Sequence, residues 1–291
     1  MSIEKVAVLG GGLMGSGIAE SVARADLSVV VRDVDETAFE AARGRIETSL
    51  GHAVERGKVD RGDAAEILNR IAYTDRLEDV ADADLVIEAV PENAELKANI
   101  LGQVAGLVAD GTLIASNTSS IPIAQLAAGI ERPERVLGLH FFSPVPVMRL
   151  VEIVVALDTS EATVAAAQDF AAKIGKRAIV TKDRSGFIVN MLLVPYLMAA
   201  VRMYEEGFAG AEDIDEGMKL GCGHPMGPLT LCDMIGLDVL YSVCDSLYEE
   251  FKEPAYAPPP LMKRMVASGR IGRKADRGFY EYGAARERAA V

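Results

Sequence analysis

Residues 5–15 read KVAVLGGGLMG, a short apolar strand pattern running directly into glycines at positions 10, 12 and 15. A GxGxxG spacing between a strand and a helix marks a dinucleotide-binding turn, whereas the same glycines in a free loop would mean little. Gly10 permits the tight turn, Gly12 lets the backbone approach a pyrophosphate, and Gly15 lets helix and strand pack closely. Leu13 and Met14 fall in the first turn of a helix pattern over 12–25, whose unpaired N–H groups and partial positive charge suit the phosphates. The next strand pattern, residues 27–33 (LSVVVRD), ends on Asp33, whose carboxylate can accept hydrogen bonds from ribose hydroxyls and repels an added phosphate. Arg32 would welcome that phosphate, but neighbouring strand residues point to opposite faces, so both cannot reach the ribose. The expected cofactor is therefore NAD.

Outward from this unit, strand and helix patterns alternate. Strands are expected at 70–73, 85–89, 112–116, 136–141, 150–155 and 177–180, with a helix over 160–174. Between residues 36 and 70, two charged, alanine-rich helices meet at Arg56-Gly57-Lys58 and read as an inserted helical hairpin. The alternation predicts an α/β fold with a parallel, doubly wound Rossmann-type sheet. After Lys182 the pattern changes to helical spacing over 189–206, 211–220 and 237–251, punctuated by Pro225, Pro228 and Pro258–Pro260. The expected domains are a dinucleotide-binding unit over 1–183 and an all-helical unit over 184–291, its last nine residues a frayed tail.

Composition excludes several classes of function. A formal charge of −13 over 291 residues argues against nucleic acid, which needs clustered cations. No apolar run reaches the roughly 18–20 residues of a membrane span, since Asn190 and Pro195 interrupt the best candidate. Glu4 and Lys5 stand directly before the first strand, unlike a signal peptide, so a cytoplasmic location is expected. Cys222, Cys232 and Cys244 lack metal-ligand spacing and read as small buried hydrophobes; no metal is expected.

The chain has three histidines. His52 falls in a charged helix and reads as solvent-facing, and His224, in Gly-His-Pro, as a residue shaping a turn. His140 ends an apolar strand (VLGLHFF), the edge where ligands bind in doubly wound sheets. Taken alone, that position is as compatible with a structural histidine as with a catalytic one. Glu152 decides between them, because a carboxylate inside the apolar run RLVEIVV needs a partner. A carboxylate beside an imidazole fixes its tautomer and makes an acid–base group.

Seven strings in order, GGGLMGSGIA, IEAVPEN, SNTSS, GLHFFSPVPVMRLVEIV, GFIVN, HPMGPLTLCDMIGLD and GRKADRGFYEY, make the whole chain resemble the 3-hydroxyacyl-CoA dehydrogenase family. The resemblance implies a Rossmann domain with the helical hairpin, a helical domain that forms a homodimer, and oxidation of a 3-hydroxyacyl thioester to the 3-ketoacyl thioester with NAD. It makes His140 the catalytic base and Glu152 its partner. Ser119 becomes the side chain touching the substrate oxygen, and Asn190 an active-site asparagine at the domain junction. It also places Glu92 and Lys97 along the cofactor pocket, and the hairpin, with Arg56, Lys58 and Arg61, near the CoA. On residue type alone, Ser119 and Asn190 read as capping residues and the hairpin charges as a solvated run.

The chain departs from the family pattern at Ser143, where asparagine is usual. It departs again in the stretch Lys182-Asp183-Arg184-Ser185-Gly186, where a proline before Gly186 is more usual, at Met191 in place of arginine, and at Asp276 in place of glycine. A short hydroxyl at 143 opens an alternative substrate, a hydroxyacyl group such as a glyceryl thioester on an acyl carrier protein in polyketide extender-unit synthesis. A non-catalytic dinucleotide-binding protein and a hydroxy-acid dehydrogenase using lysine are the competing classes; His140, Glu152, Ser119 and Asn190 together disfavour the first, and HFF…E in place of a helix-borne lysine motif disfavours the second.

Overall fold

The opening strand, β1 (Lys5–Leu9), lies inside an eight-stranded sheet of order β3-β2-β1-β4-β5-β6-β7-β8. Its neighbours are β2 (Ser28–Arg32), β3 (Ile71–Thr74), β4 (Leu85–Glu88), β5 (Leu113–Ser116), β6 (Val136–Phe141), β7 (Leu150–Val155) and β8 (Arg177–Lys182). The structure, a computed structural model, describes residues 3–283, and the chain divides into two compact units between Arg184 and Ser185. Residue 283 apart, the expected frayed tail lies outside the described residues.

Central strands such as β4 (LVIE) and β5 (LIAS) are buried along their whole length, which is why their sequences are apolar without alternation up to a polar last residue. Helices α1 (Leu13–Ala23), α2 (Glu36–Glu55), α3 (Arg61–Asn69), α4 (Ala94–Ala105), α5 (Ile123–Ala127) and α6 (Glu161–Lys173) connect the strands, with α2 and α3 forming the inserted hairpin. Side-chain oxygens of Asp35, Asn93 and Ser160 accept the N–H groups of Ala38, Leu96 and Thr163, fixing where α2, α4 and α6 begin.

One pairing differs from the expected parallel sheet: β6 and β7 run antiparallel. Only residues 142–149 join them, too few for the dozen or more that a parallel crossover needs. The other pairings are parallel, so the carboxyl ends of β1, β4, β5 and β6 gather at one edge. There Leu9, Glu88, Ser116 and Gly138 form one row of register partners across the sheet.

The second unit contains α7 (Val189–Glu205), α8 (Ala211–Cys222), α9 (Pro228–Ile235), α10 (Leu237–Phe251) and α11 (Pro260–Ala267). Its core is built from Val194, Leu197, Leu229, Leu240, Leu247 and Met262. Cys232 and Cys244 belong to that core, and burial pushes the Cys244 thiol up to about 12. Cys222 corrects the expectation for the cysteines, since it is exposed at the end of α8. Among the described residues, no helix is long and apolar enough to cross a membrane.

Asp215, 4% exposed, ties this unit together. Its carboxylate accepts the N–H groups of Leu229 and Thr230 in the first turn of α9, the Thr230 hydroxyl, and the Tyr280 hydroxyl at 2.9 Å. A negative charge at a helix N-terminus also complements the helix dipole. Replacing it leaves several buried donors unpaired. Asp215→Ala is expected to lower stability by about 2–4 kcal/mol, read as a fall of roughly 5–15 °C in thermal denaturation; an unchanged midpoint would contradict this role.

Candidate active site

The glycine turn has the backbone its sequence requires. Gly10 sits at φ +92°, and a Cβ there would meet the Ala89 carbonyl oxygen at 2.8 Å. A Cβ on Gly15 would fall 1.8 Å from the Gly10 oxygen, so the first turn of α1 can lie on the loop only because position 15 is glycine. Before Gly12 the space is open, with nothing within 4 Å of a built Cβ. Leu13 is 72% exposed at the start of α1, and Met14 packs against the core. No side chain caps α1, which leaves the helix N-terminus to an anionic group.

Asp33 lies over this loop, with Oδ2 accepting the Gly11 N–H at 2.7 Å and Oδ1 the Val34 N–H at 2.8 Å. Each oxygen keeps a lone pair for a ribose hydroxyl. A glycine cradle, an uncapped helix N-terminus and a held carboxylate together fit the pyrophosphate and ribose of NAD. Sequence reasoning missed two supports of the cradle. A Cβ on Gly11 would collide with Ala42 at 2.5 Å, and Arg45 donates to the Gly11 carbonyl at 3.0 Å.

At the same sheet edge, His140 and Glu152 are register partners on β6 and β7. The Nδ1 of His140 lies 2.6 Å from Oε2 of Glu152, with relative exposures of 6% and 0%. Opposed residues on paired strands share a face, so the antiparallel register itself brings the two groups together. The phenyl ring of Phe142 covers the imidazole at a centroid distance of 4.5 Å. Beyond the strand, the loop carrying the exposed Ser143 is pinned from behind by Lys176. Its buried ammonium donates to the carbonyls of Val145 and Met148, and that burial pushes its pKa down.

A second polar network sits at the ends of β4 and β5. Lys97, 1% exposed on α4, donates to Glu88 at 2.7 Å and to the Val90 carbonyl at 3.1 Å, and pairs with Glu92 at 3.2 Å. Glu92 in turn accepts from the Thr118 hydroxyl at 2.6 Å and the Ser119 N–H at 3.0 Å, with the Ser119 hydroxyl at 3.4 Å. Burial pushes the Glu92 carboxyl up, but Lys97 and the bonds from Thr118 and Ser119 outweigh it and hold it below its ordinary value. Next to Ser119, the Asn117 side chain accepts the Phe141 N–H at 2.9 Å, tying this loop to the strand of His140.

The sequence-derived residues thus fall into distinct groups. Gly10, Gly12, Gly15 and Asp33 come together, as do His140 with Glu152, and Ser119 with Glu92 and Lys97. Asn190 lies on the first turn of α7 in the second unit, and Lys58 is exposed between α2 and α3. Of the other histidines, His52 is exposed on α2 and His224 contacts the Tyr196 hydroxyl at 3.2 Å. Among the described residues, no cluster of His, Cys, Asp and Glu could hold a metal ion.

Comparison with known proteins matches residues 5–184 to the NAD-binding domain of 3-hydroxyacyl-CoA dehydrogenase and residues 186–282 to its C-terminal domain. A 3-hydroxybutyryl-CoA dehydrogenase of Mycobacterium tuberculosis is 50% identical over 97% of this chain and 99% of its own length. A probable 3-hydroxybutyryl-CoA dehydrogenase of Bacillus subtilis is 42% identical, over 97% and 98% of the two chains. Among solved structures, M. tuberculosis FadB2 superposes with a TM-score of 0.96 at 49% identity, covering 97% of this chain and all (100%) of that one. The (S)-3-hydroxybutyryl-CoA dehydrogenase of Ralstonia eutropha gives 0.91 at 45% identity, with the same coverage of 97% and 100%. With both family domains matched in order along nearly its whole length, the chain belongs to the 3-hydroxyacyl-CoA dehydrogenase family and is an NAD-dependent oxidoreductase.

Proposed function

We propose that this enzyme oxidises the C3 hydroxyl of a short 3-hydroxyacyl-CoA to the 3-ketoacyl-CoA, with His140 as the acid–base group. The observation that carries the reading is the 2.6 Å contact between His140 Nδ1 and the buried Glu152. With Nδ1 held by the carboxylate, proton exchange with the substrate passes through Nε2. The Gly10–Gly15 turn and Asp33 would hold NAD, which when bound would supply the acceptor for the hydride from C3. His140 takes the hydroxyl proton as the C–O bond becomes a carbonyl, and Glu152 stabilises the imidazolium that forms. The Ser119 hydroxyl orients the substrate oxygen, and Asn190 is a further candidate for contact with the substrate. Glu92 lines the cofactor side of the site, and Lys97, saturated by its own partners, holds Glu92 in place.

The CoA ester is preferred over a carrier-protein thioester because relatives matching along nearly the whole chain are named for 3-hydroxybutyryl-CoA. Ser143, exposed in the loop after β6, is a candidate substrate contact under either reading. Arg56, Lys58 and Arg61 at the hairpin tip form no ion pair among the described residues, and this free positive charge supports a role in holding the CoA phosphates. Exposed apolar side chains of the second unit, Leu192 (73%), Phe208 (78%) and Leu220 (80%), support a homodimer.

His140→Gln should bind NAD with near-normal affinity yet lose roughly 10²–10⁴-fold in kcat for acetoacetyl-CoA reduction; wild-type turnover would remove His140 from this role. Lys58→Glu should raise KM for acetoacetyl-CoA by roughly 3- to 10-fold with kcat unchanged, the effect weakening in high salt. An unaltered KM would return the hairpin to an ordinary solvated surface. In a side-by-side assay, acetoacetyl-CoA should be reduced faster than the same acyl group on a carrier protein, and the reverse order would favour the carrier substrate.

A further inference from the structure

Glu88 is fully buried (0% exposed) at the end of β4, and none of the chemistry above uses it. Its Oε1 accepts the Val90 N–H at 2.7 Å and the Lys97 ammonium at 2.7 Å, while Oε2 accepts the Ser116 hydroxyl at 2.5 Å. Glu88 and Ser116 are register partners, and Gly138 continues their row on β6. Side chains repeat every second residue along a strand, so His140, two positions beyond Gly138, projects from the same face as Glu88. The buried carboxylate therefore stands on the same side of the sheet as the acid–base pair.

We infer that Glu88 is a positioning residue for Ser119, acting through the buried chain Glu88–Lys97–Glu92. The inference rests on Ser119 being the side chain that orients the substrate oxygen. Lys97 is shared between two carboxylates, and only Glu92 reaches Ser119. Glu88 draws the ammonium toward β4 and, through Ser116, fixes the end of β5 from which the Ser119 loop departs. Without the Glu88 charge, a buried ammonium keeps a single acidic partner and pulls on Glu92, whose Oε1 gathers Thr118, Ser119 and Ser120. The Ser119 hydroxyl then loses its fixed place. Glu88 touches no reacting atom in this scheme.

A double-mutant cycle on the full-length enzyme, reading kcat for acetoacetyl-CoA reduction by NADH, tests the chain of contacts. Ser119→Ala and Glu88→Gln should each lower kcat by roughly 10- to 100-fold, and the double variant should fall within about twofold of the weaker single variant. A residue that only stabilises the fold would instead multiply the two losses, and that outcome overturns the inference. If Ser119→Ala alone leaves kcat unchanged, the Ser119 reading fails first and this inference falls with it, a result distinguishable from multiplied losses. Should Glu88→Gln not fold, Ser116→Ala removes one donor to Glu88 without changing a charge and must show the same non-additivity with Ser119→Ala.

Discussion

Glu152 is a carboxylate with no exposure to water, and burying one is tolerable only when a partner meets it. That partner is His140, set opposite by the antiparallel register of β6 and β7. A slip of one residue would send the two side chains to opposite faces and break the pair. The register is thus fixed by electrostatics as well as by the apolar residues around it. The short turn between the strands is braced too: Lys176 bonds two of its carbonyls, and Val145 packs where a Cβ on Gly17 would stand 3.0 Å away. Through that contact the cofactor-binding helix and the loop beyond His140 share a surface.

Two buried carboxylates on one face of the sheet have been given different partners, and the partners separate their roles. Glu88 meets a lysine, whose ammonium only donates hydrogen bonds and so serves as a fixed electrostatic tie. Glu152 meets an imidazole, which can take and return a proton while its other nitrogen stays held. The first arrangement suits a scaffold for the loops at the ends of β4 and β5, the second an engine for proton transfer. Both sit at the edge of the sheet where β4 and β6 end, the side on which a doubly wound sheet leaves backbone groups and loops available to a ligand.

Much of this was legible in the residues. The glycine spacing after a strand determined the first βαβ unit, and the lone glutamate in RLVEIVV pointed to His140 before any coordinates. The same rule applied to IEAVPEN would have found Glu88. It was missed because Glu88 stands one residue from the end of the expected 85–89 strand, where a carboxylate can reach water, although the strand is buried to its last residue. Lys97 looks like an ordinary charged residue of a surface helix; its 1% exposure comes from tertiary packing that helical periodicity cannot show. The antiparallel pairing was hidden by the regular alternation elsewhere, although the short 142–149 connection carried the signal. Gly11 was passed over as filler inside the motif, yet Asp33 and Ala42 close over it.

The proposed chemistry turns on which nitrogen of His140 carries the proton at rest. Because the chain holds only three histidines, ring-nitrogen NMR of histidine-labelled enzyme can assign His140 by difference from a variant lacking it. The expected spectrum shows a strongly hydrogen-bonded proton on Nδ1, shared with Glu152, and an unprotonated Nε2 in the neutral ring. A resting ring protonated on Nε2 instead, with no hydrogen-bonded Nδ1 proton, would contradict it.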